Sequence, residues 1–265
     1  MISKRNLFLL CAILLLGCAE RDPGITLSVE ALHHSAPDMF GNYTDTAAGE
    51  PRAFTSESGY DITIEKGYVV LFNEELLAQA NAFDFVPRFF QRVFGVSDAF
   101  AHALSSPTTI ATPQVIALLG AERVPLVLGE LSPPPGVYDR LEVNVLQADE
   151  DARDLPGDVP GTMVGKSLYL EGTWQPAGMG GAGTAFTIST AIAATAQLTL
   201  RAPGGAPDPH SLPGSTSRVI VGIGYETWFD SADFMTMNQS QLAIAVMGEV
   251  QASLSHFVDP VADSE

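Results

Sequence analysis

Residues 60–72 have the sequence YDITIEKGYVVLF and carry the clearest strand signal in this chain. From Tyr60 to Glu65, apolar and polar side chains alternate, which is the period of a strand with one buried face. From Tyr68 to Phe72 the chain is continuously apolar and consists of residue types that favour strands. The stretch therefore predicts one long or bulged strand pair.

Further short strand patterns occur on both sides of this stretch, and Gly/Pro-bearing segments separate them. Several short strands at such spacing are typical of a sandwich or a barrel. No internal repeat and no clear linker divides the sequence, so we predict one mainly β domain over residues 25–265. The predicted additional strands are 25–29, 124–131, 138–146, 167–174, 185–190, 194–201 and 218–229.

Two segments have the period of a helix instead. In residues 83–104, apolar residues such as Phe85, Phe89 and Val93 recur at spacings of three and four, which predicts a helical insertion. We interpret its aromatic stripe as core packing rather than as a grip on lipid or a partner. A C-terminal helix is predicted over 240–257, although alternation near residue 244 also allows a strand, and residues 114–119 are predicted to form one further helical turn.

The N-terminal residues predict an export signal. Lys4 and Arg5 precede an apolar run too short to span a bilayer, and the run ends in Leu15-Leu16-Gly17-Cys18. These residues resemble the signal of bacterial lipoproteins. The resemblance implies that residues 1–17 are removed, that Cys18 receives a diacylglyceryl group and an acylated amino terminus, and that residues 18–24 form a lipidated tether. Ala19 then indicates the outer membrane of the cell envelope.

Charge narrows the range of partners. The chain has a formal net charge of −18, and loss of residues 1–17 removes Lys4 and Arg5, leaving 11 basic residues against 31 acidic ones. Nucleic acid would be repelled by such a surface. Nucleotide is also excluded, because Gly161 and Gly165 of a loop similar to a phosphate loop have three residues between them where the motif needs four.

Two sets of residues are candidate metal ligands. His33, His34 and Met39 offer imidazole and thioether groups to copper, but adjacent side chains on a strand point to opposite faces, so one ion requires a loop there. Asp149, Asp151 and Asp154 place carboxylates for calcium in one loop without the spacing of an EF-hand. We favour ordinary surface or core histidines and a solvated acidic loop, and we predict no other cofactor.

The sequence contains no Gly-x-Ser-x-Gly elbow, and no thiol remains once Cys18 is lipidated. Three segments, 59–68, 134–138 and 228–229, resemble segments of β-sandwich lipoproteins of bacterial envelopes. The resemblance implies immunoglobulin-like or prealbumin-like sheets. Our leading hypothesis is a non-catalytic, lipid-anchored binding or structural module with a protein or glycan partner in the envelope. The alternatives are a metal-binding lipoprotein and an envelope hydrolase.

Overall fold

The computed structural model describes residues 26–37, 41, 43–72, 74–78, 106–134, 137–200, 210–211 and 217–257. The predicted signal 1–17, the tether 18–24 and the predicted helix 83–104 lie outside these residues. None of the helices in the described ranges has the length and apolar character that a bilayer crossing needs.

The smaller sheet has four strands. Its central strands, β1 (Leu27–His34) and β13 (Ser217–Gly224), run parallel, with Leu27 beside Ser217 and His34 beside Gly224. The strand β7 (Leu126–Leu131) pairs antiparallel with β1, and β14 (Leu254–Phe257) pairs antiparallel with β13. The strand order is therefore β14-β13-β1-β7, with β7 and β14 at the edges.

The larger sheet contains ten strands in the described part of the chain. They are β2 (Arg52–Thr55), β3 (Tyr60–Leu71), β4 (Glu74–Ala78), β5 (Thr109–Ile110), β6 (Gln114–Ala117), β8 (Val137–Val145), β9 (Leu168–Pro176), β10 (Thr184–Thr190), β11 (Ala194–Thr199) and β12 (His210–Ser211). The strand order is β10-β9-β3-β8-β4-β5, and in addition β2 and β6 pair with β3 while β11 and β12 pair with β8. The longest strand, β3, pairs on one side with β9 and on the other with β2 and then β6.

A bulge divides the long strand β3. The sequence predicted one long or bulged strand pair over residues 60–72. The structure has a single strand there, and its pairing register with β9 shifts between Ile64 and Lys66. Gly172 lies opposite Ile64, and a Cβ on Gly172 would stand 2.0 Å from the carbonyl oxygen of Thr63. The backbones approach so closely here that only glycine fits.

The two sheets pack together around one apolar core. The core cluster includes Leu27 and Val29 from the smaller sheet and Ile62 and Ile64 from the larger one, all almost fully buried. A helix, α1 (Gln239–Ser253), and a 3₁₀ helix (Tyr225–Phe229) cover part of this core. The prediction of a mainly β, sandwich-like fold with an accessory helix is confirmed.

Helix α1 begins where the sequence predicted it, because Asn238 and Gln241 form a reciprocal capping box. It ends at Ser253, so the prediction was wrong for the last four residues, which form β14 against β13. The helical turn predicted over 114–119 was also wrong, since residues 114–117 form β6 and pair with β3. The strand predicted over 218–229 ends at Gly224 and continues as the 3₁₀ helix.

Candidate functional site

Four buried polar side chains from distant parts of the sequence meet beside the core, and we call this group the ionic clasp. Arg52 begins β2, Glu122 lies between β6 and β7, Tyr225 begins the 3₁₀ helix and His33 lies near the end of β1. Each is at most 5% exposed. The clasp therefore joins the larger sheet, through Arg52, to the smaller sheet, through His33.

Every nitrogen of the Arg52 guanidinium has a partner. Nε donates to the carbonyl oxygen of Leu118 at 2.9 Å, Nη1 donates to that of Ala47 at 3.1 Å, and Nη2 donates to that of Gly120. Nε also lies 3.4 Å from Oε1 of Glu122, and both side chains are fully buried. A buried cation is tolerated here because it has both hydrogen-bond acceptors and an opposite charge.

Glu122 is satisfied on both carboxylate oxygens. The Tyr225 hydroxyl donates to Oε1, and the Thr46 backbone N–H donates to Oε2 at 3.1 Å. Burial, followed by the hydrogen bond to Glu122, raises the pKa of Tyr225 well above its usual range. The phenol therefore stays protonated and remains a donor to the carboxylate.

His33 completes the clasp as a neutral side chain. Its Nε2 lies 3.3 Å from the carbonyl oxygen of Gly120, which also accepts from Arg52. Since a carbonyl only accepts, Nε2 carries the proton. Burial and the nearby charge of Arg52 lower the pKa of His33 to about 4. The polar atoms of the clasp form hydrogen bonds within the protein. This arrangement is typical of a structural element rather than of a reaction centre.

His34 packs against different residues from His33. Its ring contacts Tyr43 and Phe257 and lies beside Gly222 and Gly224. Nδ1 lies 2.6 Å from the Ser35 carbonyl oxygen, whereas the buried Nε2 has no hydrogen-bond partner. No serine hydroxyl is therefore bonded to His34, and burial lowers its pKa.

The structure does not bring the proposed copper ligands together. His33 and His34 both belong to β1, so they lack the loop geometry that a shared ion requires, and Met39 lies outside the described residues. Within the described ranges no group of three or more His, Cys, Asp or Glu side chains is placed to hold a metal ion. Cys18, the predicted lipidation site, also lies outside these ranges.

Asp149 and Asp154, two of the three proposed calcium ligands, accept hydrogen bonds from different parts of the protein. Asp149 accepts from the backbone N–H of Asp151 at 3.0 Å, which closes a local turn. Asp154 accepts from the Gln114 side-chain amide at 2.7 Å, on the side of the loop that faces β6. The loop 148–163 covers a second, smaller apolar cluster that contains Val115, Met163 and Tyr169.

Glu74 is a buried acid of a different kind. It begins β4, is 1% exposed, and has a carboxyl oxygen, Oε1, without a hydrogen-bond partner. Burial raises its pKa to about 8, while the nearby Arg153 acts in the opposite direction. Glu74 is therefore mostly protonated at neutral pH.

A cleft of about 280 Å³ lies next to the strand partner of Glu74. Ile110, which pairs with Glu74, lines the cleft together with residues 109–112, 128–130 and Arg153. Arg153 Nη2 donates to the carbonyl oxygen of Leu128, a residue of β7. Glu74 does not line the cleft, so the structure gives it no contact with a molecule bound there.

Comparisons with family models, with curated proteins and with solved structures find no match for this chain.

Sequence reasoning missed Arg52, Glu122, Tyr225 and Glu74. Arg52, Glu122 and Tyr225 share no motif and are far apart in the sequence, since even Arg52 and Glu122 are separated by 70 positions, so only the fold brings them together. Glu74 stands just after the apolar run that ends at Phe72, where a charged residue normally marks the solvated end of a strand. No signal in the sequence distinguishes it from Glu75.

Proposed function

We propose that this chain is a lipid-anchored protein of a bacterial envelope, and that its β-sandwich is a non-catalytic binding or structural module. The observation that carries the proposal is the order Lys4-Arg5, apolar run, Leu15-Leu16-Gly17-Cys18 at the N-terminus. Acyl chains on Cys18 would hold the protein on a membrane, because two chains give stable anchoring where one is only marginal.

The sandwich supports the non-catalytic part of the proposal. Among the described residues, the buried polar side chains of the ionic clasp have their atoms committed to internal hydrogen bonds. His34 and Glu74 are buried, and neither Nε2 of His34 nor Oε1 of Glu74 forms a hydrogen bond to a nucleophilic side chain. A module of this kind acts through its surface, and the net charge of −18 favours partners that are not polyanions.

The anchor is tested by expressing the full chain in a bacterium with two membranes and identifying the N-terminal peptide by mass spectrometry. We expect a peptide that begins at Cys18 and carries the mass of diacylglyceryl and acyl groups. Cys18→Ser is the test variant, and Cys11→Ser is its matched control, since both remove a thiol but only one lies at the predicted cleavage position. We expect loss of lipid and of detergent-phase partitioning in Cys18→Ser alone.

An unlipidated wild-type chain, or equal partitioning of the two variants, would contradict the anchor.

The proposal that the module is non-catalytic has its own test. Turnover of ester, peptide or glycosidic substrates by the purified full chain, retained through successive purification steps, would overturn it.

A further inference from the structure

The cleft of about 280 Å³ lies between two edge strands of the sandwich. One of them, β5, ends the path of the larger sheet, and the other, β7, is an edge of the smaller sheet. Beside the cleft, the Ser132 N–H donates to the Pro107 carbonyl oxygen at 2.9 Å and so joins the two sheets. Sites for drug-sized ligands have volumes of about 300–1,000 Å³, so this cleft suits a smaller molecule.

The wall of the cleft combines apolar and polar residues. Ile110 and Leu128 are buried, at 7% and 1% exposure, whereas Thr112, Glu130 and Arg153 are exposed. The apolar side chains therefore belong to the inner part of the cleft and the polar residues to its mouth. A ligand in this position would meet polar groups first and apolar groups behind them.

Arg153 differs from the other arginines that the structure describes. Each of those four has a nitrogen within 3.9 Å of a carboxylate oxygen: Arg52, Arg123, Arg140 and Arg218. Arg153 forms no ion pair with a described residue, although the chain contains 31 acidic residues. Its charge is therefore available to an anionic group of a ligand.

The position of Arg153 is fixed by its backbone and by one bond of its side chain. Its N–H donates to the Pro113 carbonyl oxygen at 2.9 Å, and its own carbonyl oxygen accepts from the Val115 N–H at 3.1 Å. Nη2 donates to the carbonyl oxygen of Leu128, which also lines the cleft. The guanidinium retains a parallel pair of N–H groups, and such a pair binds a carboxylate in a bidentate manner.

We propose that this cleft binds the carboxylate of a small ligand and that Arg153 recognises it. The inference rests on the proposed non-catalytic binding module and names the chemical class of its ligand. Arg153 is the one cationic residue in the described wall, and Glu130 would repel further negative charge, so a single carboxylate suits the cleft better than a phosphate or a polyanion. Free amino acids and the C-terminal ends of peptides both carry this group.

The test uses the full lipidated chain, labelled with ¹⁵N and purified in detergent. N-acetyl-L-alanine is the carboxylate probe, and N-acetyl-L-alanine amide is its neutral match. Nuclear magnetic resonance follows the Nε–H of Arg153 and the backbone N–H of Gly129, which also lines the cleft. We expect N-acetyl-L-alanine to shift both signals until they saturate, and the amide to cause no saturable shift.

Arg153→Gln is the test variant, followed through the Gly129 signal, and Arg218→Gln is its matched control because it removes an exposed arginine outside the cleft. We expect the affinity for N-acetyl-L-alanine to fall by about tenfold or more in Arg153→Gln alone, since hydrogen bonds between charged groups are the stronger ones. Arg153→Lys keeps the charge without the parallel pair, so it should weaken binding less than Arg153→Gln does.

Three results would overturn the proposal: no saturable shift with N-acetyl-L-alanine, equal binding of its amide, or equal affinity in Arg153→Gln and Arg218→Gln. The comparison of the two probes needs only the wild-type chain, so it remains decisive if Arg153→Gln does not fold. Tighter binding of inorganic phosphate than of N-acetyl-L-alanine would also overturn it.

A titration with L-alanine distinguishes the two sources of the carboxylate. Tighter binding of L-alanine than of N-acetyl-L-alanine would support the proposal with a free amino acid as the ligand, and the reverse order would support it with the end of a peptide. The same spectra separate this inference from the proposed function. Hydrolysis of N-acetyl-L-alanine to acetate and alanine would contradict a non-catalytic module, whereas absence of binding would overturn the carboxylate site alone.

Discussion

The ionic clasp and Glu74 are both buried ionisable sites of the larger sheet, but they are stabilised in opposite ways. In the clasp, carbonyl oxygens, a phenol and a backbone N–H satisfy the side chains of Arg52 and Glu122. Glu74 has an oxygen without a hydrogen-bond partner, and burial raises its pKa to about 8. The difference shows that burial has different consequences for a polar group with a full set of partners and for one without it.

The largest expected effect comes from breaking the clasp. Arg52→Met removes the cation beside Glu122 and the hydrogen bonds that Arg52 donates to the carbonyl oxygens of Leu118, Ala47 and Gly120. Removing one partner of a buried pair costs about 3–5 kcal/mol, because the remaining charge stays buried. Urea unfolding at pH 7 measures this free energy.

The control for this variant is Arg140→Met, which breaks an ion pair that is about one-third exposed. Such surface pairs contribute less than about 1 kcal/mol. If the two variants lose similar amounts of stability, the clasp is not the structural element described above.

Glu74 predicts a loss of stability as the pH rises. Its pKa increases from 4.5 in the unfolded chain to about 8 in the folded chain, so the folded state retains a proton that the unfolded state loses. This contribution to stability is fully present below pH 4.5 and disappears as the pH rises to about 8. Between pH 5 and pH 8 the loss amounts to about 3 kcal/mol.

Glu74→Gln is the matched variant, because the amide keeps the shape of the side chain and does not titrate. We expect the difference in unfolding free energy between the wild-type protein and Glu74→Gln to change by about 3 kcal/mol between pH 5 and pH 8. A constant difference across this range would show that Glu74 is ionised in the folded protein.

The strands were predictable because their pattern is local. The alternation in residues 60–65 and the apolar run in 68–72 predicted strand structure where β3 lies, but left open whether it would be continuous or bulged. The end of α1 was not predictable in the same way, because residues 254–257 form a strand only through pairing with β13. Pairing with β3 likewise makes residues 114–117 a strand.

The clasp was not predictable for the same physical reason. His33 was noticed as a candidate metal ligand, since its residue type alone allows that role. Its actual contacts are with Gly120, Arg52 and Tyr225, and each of them depends on how the sheets pack. A sequence shows which side chains can ionise, but it does not show which of them the fold surrounds with partners.

The smallest expected effect is a loss of stability at acid pH caused by His33. Its sign is opposite to that of the effect of Glu74. The pKa of His33 falls from 6.5 in the unfolded chain to about 4 in the folded chain, so the unfolded state takes up a proton first. The contribution of neutral His33 is complete above pH 6.5 and is lost as the pH falls to about 4. Between pH 7 and pH 4.5 this loss is about 2 kcal/mol.

Because Glu74 changes stability in the other direction between pH 4.5 and pH 6.5, the effect of His33 is measured in the Glu74→Gln background. There, His33→Gln should reduce the loss of stability between pH 7 and pH 4.5 by about 2 kcal/mol. Nuclear magnetic resonance of the His33 ring in the wild-type protein gives an independent check. A ring that titrates near pH 6.5 while the protein stays folded would mean that the second positive charge beside Arg52 is accommodated, and that the clasp is less tightly closed than its contacts imply.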